Sequence, residues 1–188
     1  MKKIIIAFTL TLLIAGLNLS AQQKSKQEDY GNTLNLGVGI GYYGYVGHST
    51  PVIHIDYEIA VARYFTLAPF VSYYSYTDYN TWVAPQNPYW NYSYRETVIP
   101  MGVKGTYYFD KLLGAGPRWD FYLAASLGFV ITTTTWENGY EGSTTVNNRP
   151  SPLFLDLHAG TEYHLTKKAG LFLDLSTGVS TLGLAIHF

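Results

Sequence analysis

TLGLAIHF, residues 181–188, alternates strictly between large apolar and small or polar side chains. Leu182, Leu184, Ile186 and Phe188 fall on one side of an extended strand, and Gly183, Ala185 and His187 on the other. Ordering a chain end costs backbone entropy, so terminal residues are usually frayed and polar. An alternating strand that closes on an aromatic ring implies that its edge is paired and its large face is buried against something.

The same period of two recurs along the chain, and no stretch of the mature sequence shows a convincing helical period. Strand one, about 33–45, sets Leu34, Leu36, Val38, Ile40 and Tyr42 against Asn35, Gly37, Gly39 and Gly41. Strand two, about 51–62, sets Ile53, Ile55, Tyr57, Ile59 and Val61 against His54, Asp56, Glu58, Ala60 and Ala62. Strands three (about 65–76), four (about 95–109), five (about 119–134) and six (about 152–164) follow the same rule. Strand seven carries Leu171, Leu173 and Leu175 against Phe172, Asp174 and Ser176, and the opening stretch is strand eight. Short joins, ARYF, DKLLGAGPR and TKKAG, follow strands two, four and six. Long polar-aromatic segments, TDYNTWVAPQNPYWNYSY and WENGYEGSTTVNNRPSP, follow strands three and five. An even number of strands with short turns at one end and longer loops at the other is the pattern of an outer-membrane barrel.

The placement of charge decides which face is which. His54, Asp56, Glu58, Glu96, Lys104, Asp156, His158, Glu162, Asp174 and His187 all share parity with glycines and alanines, and none with the leucines. A charge on a lipid-facing position costs about 2–4 kcal/mol at mid-membrane, so this sorting is expected if the leucine face meets lipid. Arg63 and Arg95 break the parity at strand ends, where a long side chain reaches the interface. A soluble sandwich or periplasmic barrel would reverse the faces. Its solvated face should then be crowded with Lys, Glu, Thr and Arg, whereas this one carries Gly, Ala, Ser, Phe70, Phe154 and Phe172. Narrow barrels fill their interiors with such mixtures. The fold class expected is an all-β, eight-stranded antiparallel up-and-down transmembrane β-barrel.

Thr181-x-Gly183-x-x-Ile186-x-Phe188 resembles the C-terminal assembly signal of bacterial outer-membrane barrels: polar, glycine, hydrophobic and terminal aromatic at fixed spacing. The whole mature chain resembles small eight-stranded barrels such as OmpX, the membrane domain of OmpA and the PorT-like barrel domains. That resemblance implies insertion by the barrel-assembly machinery, residence in the bacterial outer membrane among its lipid and lipopolysaccharide, loops to the exterior and termini in the periplasm. Because an open edge in lipid leaves backbone groups unsatisfied, strand eight must pair with strand one.

The beginning of the sequence fits this compartment. MKKIIIAFTLTLLIAGLNLSAQQ has the charged, apolar and small-residue order of a secretory signal peptide. Its apolar run of about fourteen residues is shorter than the roughly 20 a spanning helix needs. The expected organisation is a cleaved signal peptide at 1–21, a short periplasmic segment at 22–32 and the barrel at 33–188. The absence of cysteine removes disulfides, lipid-anchored cysteine, zinc thiolates and thiol nucleophiles. Loss of Lys2 and Lys3 takes the formal charge from −1 to −3, which leaves no basic footprint for nucleic acid. Only 13% of residues are charged while 16% are aromatic, 18 of them tyrosine, a balance suited to membrane-interface belts.

Few residues suggest chemistry. GIGYYG, residues 39–44, matches a glycine-rich phosphate loop by letter, but another strand follows where that mechanism needs a helix. His54, Asp56, Glu58, Glu96, Lys104, Asp156, His158, Glu162 and Asp174 are expected to form a polar network filling the lumen, since buried charges need partners. His54, Asp56 and Glu58 on strand two, with Asp156, His158, Glu162 and His164 on strand six, also suggest a metal or acid–base site, although no ligand spacing singles one out. His48 and Ser49 invite comparison with outer-leaflet lipid-modifying barrel enzymes, whose longer signatures are absent. Trp82, Tyr89, Trp90, Tyr92 and Tyr94 offer either an aromatic surface-binding loop or the upper aromatic belt. The sequence therefore points to a non-enzymatic, monomeric barrel without cofactor, metal or catalytic residues. Its expected role is structural, accessory or surface-binding; a lipid-modifying enzyme and a periplasmic soluble barrel are the alternatives.

Overall fold

A computed structural model describes residues 30, 32–41, 50–84, 87–136 and 152–188, with side chains except those of 78–92. Eight strands, β1 (Thr33–Gly41), β2 (Thr50–Ala62), β3 (Phe65–Ala84), β4 (Asn87–Tyr108), β5 (Trp119–Trp136), β6 (Leu153–His164), β7 (Ala169–Ser176) and β8 (Val179–His187), follow one another around a closed barrel. Each pairs antiparallel with its neighbours in sequence, and β8 returns to β1 from Thr33↔His187 to Gly41↔Val179. A short helix, α1 (Asp110–Leu113), sits in the β4–β5 connection and ends at Gly114, whose φ of 61° lies in the left-handed region that favours glycine. His48, Ser49 and the expected signal peptide lie outside the described residues.

The alternation fixes the faces as the charge sorting requires. Leu127, Leu155 and Leu157 are 59–60% exposed, whereas Asp56, Glu96, Lys104 and Asp156 are at most 3% exposed. The apolar side chains point out and the ionisable ones point in. On β5 the outward series runs from Phe121 to Ile131. At about 3.3 Å per residue this series covers about 33 Å of strand. A tilt of 35–45° turns that into a band about 25 Å tall, the height of the apolar belt on barrels that cross a bilayer. This is the architecture of an eight-stranded transmembrane β-barrel.

At the mouth bearing the β2–β3, β4–β5 and β6–β7 turns, aromatic rings form a girdle. Trp119 stands 4.8 Å from Tyr163 and 6.1 Å from Phe121, while Phe188 stands 6.3 Å from Tyr57. Phe65 pairs with Tyr107 on the same rim. Phe188 is thus one member of a ring of amphipathic or flat side chains where a bilayer gives way to water.

Two expectations about the strands are corrected. Ala62, expected to face inward, is exposed because the β2–β3 register shifts between Ala60 and Ala62 and β2 leaves the regular pleat there. The segment expected as a long loop after strand three is instead a ribbon. β3 runs on to Ala84, β4 begins at Asn87, and they pair through Tyr79↔Ser93, Asn80↔Tyr92 and Trp82↔Trp90. β5 reaches only to Trp136, opposite Tyr94, so beyond that point β3 and β4 have only each other among the described residues. Turn-forming Pro and Asn suggested a loop, but cross-strand pairing of aromatic residues favours an extended ribbon.

Backbone contact at the closing seam explains one small residue. A Cβ on Gly183 would stand 2.0 Å from the Leu36 carbonyl oxygen and 2.7 Å from the Gly37 Cα. Gly183→Ala should therefore pry β1 from β8 and destabilise the barrel by about 1–3 kcal/mol, as overpacking does. Urea unfolding in detergent micelles measures this, and Leu182→Ala, on the exposed side of the seam, serves as the control. Leu127→Arg should cost about 2–4 kcal/mol in bilayers and reduce insertion. Wild-type folding yield of Leu127→Arg in lipid vesicles would contradict an outward lipid face.

Candidate functional site

The lumen is where the chain gathers its ionisable groups. Alternation places His54, Asp56 and Glu58 on one face of β2, Lys104 on β4, His158 on β6 and Asp174 on β7, all buried. Lys104 Nζ lies 2.9 Å from Asp56 Oδ2, 3.6 Å from Glu58 Oε1 and 4.0 Å from Asp174 Oδ2. One ammonium thus faces three carboxylates, and neutral donors satisfy the remaining oxygens. The Asn35 amide donates to Asp56 Oδ1 at 2.9 Å and to Glu58 Oε1 at 3.1 Å. Thr66 and Tyr108 hydroxyls donate to Glu58 Oε2 at 2.6 and 2.7 Å. The Tyr122 hydroxyl donates to Asp174 Oδ2 at 3.2 Å.

The two central histidines bridge hydroxyls to carboxylates. His54 spans Asp56 Oδ2, 3.0 Å from Nε2, and Ser72 Oγ, 2.7 Å from Nδ1. His158 spans Asp174 Oδ1, 2.8 Å from Nδ1, and Ser126 Oγ, 2.8 Å from Nε2. A carboxylate only accepts, so the nitrogen facing it is the donor. Both nitrogens of each ring are thereby engaged. None of these groups is aimed at open space, which is the arrangement of a structural plug.

The nine charged and histidine residues expected as one lumen network are separated into neighbouring groups. Asp56, Glu58, Lys104, Asp174, His54 and His158 make the centre. Asp156 accepts from the Ser176 and Thr177 hydroxyls at 2.9 and 2.7 Å and from the Val179 amide at 3.1 Å, tying β6 to the β7–β8 connection. Glu96 lies towards the ribbon end, where it accepts from the Tyr76 hydroxyl beside the cluster of Val52, Tyr74, Val98 and Val179. Glu162 lies at the opposite mouth with His164, His187 and Asp120.

Two residues of the plug, Tyr108 and Tyr122, are not visible as such in the sequence. They share parity with Lys104 and Ala124, which is the signal that identifies them, but tyrosine in a membrane barrel is first read as interfacial. Tyr30 covers them from below: it stacks on Tyr108 at 4.1 Å, and its hydroxyl donates to Asp110 Oδ1 at 2.8 Å. Burial, then the Asp110 hydrogen bond, holds the Tyr30 phenol well above the ordinary tyrosine range, so it remains a donor.

Space inside is scarce. Phe70 of β3 meets Phe154 of β6 at 5.5 Å across the lumen. The cavity between them, lined also by Ser126, His158, Val179 and Thr181, measures ≈ 10 Å³, about the least that one water requires. Of the aromatic residues expected on a surface loop, Trp82 lies on β3 and Tyr89, Trp90, Tyr92 and Tyr94 on β4. Tyr94 packs against Trp136 at 5.0 Å, and the other four belong to the ribbon.

No family model matches the chain, and no curated protein matches it in sequence. Among solved structures, the chain is similar to a de novo designed transmembrane β-barrel, with 13% identity over 85% of this chain and 98% of that one, at a TM-score of 0.48. The attachment invasion locus protein Ail of Yersinia pestis, in complex with the heparin analogue sucrose octasulfate, is similar at 7% identity over 84% and 97% of the chains, with a TM-score of 0.46. Neisserial surface protein A is similar at 16% identity over 84% and 96%, with a TM-score of 0.42.

Removing the central cation tests the plug. Lys104→Met leaves three carboxylates facing one another without an ammonium and should cost about 3–5 kcal/mol, as breaking a buried ion pair does. Adding Asp56→Asn should recover part of that loss. Urea midpoints in detergent micelles measure both, and a stability unchanged by Lys104→Met would remove Lys104 from its central role.

Proposed function

We propose that this chain is an integral, non-enzymatic protein of the bacterial outer membrane whose working part is the β3–β4 ribbon, displayed as an aromatic interaction surface. The observation that carries this reading is the ribbon itself. Two strands continue past the end of β5 and pair only with each other among the described residues. A polar-aromatic hairpin held clear of a rigid support is an arrangement suited to contact with a large partner. Tyrosine and tryptophan supply broad contact area at small entropic cost.

The lumen supports the same division of labour. Its central charges satisfy one another and the cavity between Phe70 and Phe154 barely admits water, which speaks against passage of solute as its task. The exposed apolar band suits lipid and the turn-side girdle suits a membrane interface; in this reading that interface is the periplasmic one, with the ribbon outside and Thr33 and Phe188 on the inner side. Outer-membrane lipid and lipopolysaccharide surround the barrel in this reading, the barrel-assembly machinery inserts it, and it works as a monomer.

The test replaces residues 79–93 by a tight Asn-Gly turn in cells expressing the full chain. The shortened protein should still fractionate with the outer membrane and shift its gel mobility on heating. Binding of whole cells to a panel of glycans and extracellular proteins should fall to the level of cells lacking the protein. Binding retained without the ribbon would overturn the ribbon as the working part. A lipid A mass spectrum altered by expression of the wild-type chain, and restored by His48→Ala with Ser49→Ala, would establish the enzyme alternative.

A further inference from the structure

We infer that the turn-side mouth holds a binding site for a divalent transition cation of the zinc class, with Glu162, His164 and His187 as its ligands. The site joins β6 and β8, which are not neighbours, across β7. Glu162 Oε1 stands 2.7 Å from His187 Nε2 and 3.6 Å from His164 Nδ1. The three ligand atoms lie within 4.8 Å of one another.

The outer nitrogens of both rings are held in place. His164 Nε2 faces Asp120 Oδ2 at 2.7 Å, and a carboxylate accepts only, so Nε2 carries a proton. His187 Nδ1 faces Thr33 Oγ1 at 2.9 Å. The Thr33 hydroxyl donates its one proton to the Tyr30 carbonyl at 3.3 Å, so it accepts from His187 and Nδ1 carries a proton as well. Each ring therefore turns its other nitrogen towards Glu162 Oε1: His164 Nδ1 stands 3.6 Å away, and His187 Nε2 stands 2.7 Å away in a hydrogen bond that an ion would replace. A cation taking the place of that shared proton meets all three groups at once. Histidines whose outer N–H is held by a carboxylate or hydroxyl are the usual supports of a metal centre.

The spacing suits the ion. Bonds of about 2.0–2.1 Å at tetrahedral angles place ligand atoms about 3.3 Å apart, between the two distances observed. Two imidazoles and a carboxylate are donors that zinc accepts, and the fourth position is left to water. Gly170 of β7, paired with His164, makes the room: a Cβ there would stand 2.0 Å from Glu162 Oε1. His164 and His187 keep 24% and 15% of their side-chain surface exposed, so an ion can enter from the mouth. In the plug the second nitrogens of His54 and His158 face the Ser72 and Ser126 hydroxyls, at 2.7 and 2.8 Å.

Zinc and cobalt titrations of the full chain refolded in detergent micelles test the site. One equivalent of Zn²⁺ should bind saturably by calorimetry, and Co²⁺ should show the intense visible bands of four-coordinate geometry. His164→Gln and His187→Gln should each weaken binding at least tenfold, and Asp120→Asn, which spares the ligands, about 10–100-fold. Heat-modifiable gel mobility confirms that each variant folds. Should a histidine variant not fold, imidazole nitrogen NMR of the wild-type chain decides, because Zn²⁺ must shift His164 Nδ1 and His187 Nε2. No saturable binding would mean that a proton alone joins His187 to Glu162, and would overturn the proposal. Binding untouched by both histidine variants, or shifts on other histidines, would overturn it equally.

Discussion

The pairing of β8 with β1 is the constraint on which the rest of the molecule depends. In lipid an unpaired backbone N–H or C=O has no water to turn to, and each costs several kcal/mol. Nine residue pairs, from Thr33↔His187 to Gly41↔Val179, remove the edges that an eight-stranded sheet would otherwise expose. The seam also encloses the charges. Until β8 closes on β1, Asp56, Glu58, Lys104 and Asp174 share no sealed interior, and their mutual contacts are open to solvent.

Closure then dictates the chemistry within. A ring of eight strands leaves an interior that side chains just fill, and the apolar residues are already committed outward. The inner face must therefore be filled by polar groups, and these are tolerated only when they satisfy one another. One lysine among three carboxylates would leave acceptors in excess. Asn35, Thr66, Tyr108 and Tyr122 offset that excess with neutral donors on four strands, and together with Lys104 and its partners the network spans six. The plug consequently ties together walls of the barrel that the backbone ladder alone does not join.

Much of this was legible because two faces of a strand obey one parity. The inward set, including Asp56, Lys104, His158 and Asp174, follows from counting alternate residues, since the cost of a lipid-facing charge outweighs any local preference. The ribbon was not legible, because Trp82 and Trp90 become partners only when β3 and β4 share a register, while Pro85 and Pro88 read locally as turn residues. Ala62 was misplaced for a related reason: a bulge resets parity and leaves no fixed mark in the sequence. The grouping of Glu162, His164 and His187 was hidden by topology. His187 lies far along the chain from Glu162, and only the order β6–β7–β8 brings both to one mouth.

The glycines show how the seam and the plug are made compatible. Gly37 faces Gly183 across β1–β8, and Gly102 faces Gly128 across β4–β5. At both places an added Cβ would fall within 2.2 Å of a carbonyl oxygen on the facing strand at three of the four glycines. These two pairings lie on opposite sides of the strand order, four strands apart. Other inner-face glycines lie under large side chains: a Cβ on Gly37 would stand 3.0 Å from the Phe172 ring, and one on Gly160 2.2 Å from the Tyr122 ring. With that room the larger groups reach one another, as Phe70 of β3 meets Phe154 of β6 and as Lys104 of β4 passes β3 to reach Asp56 of β2. The smallest residues of the inner face thus make the space in which its largest and most polar ones find each other.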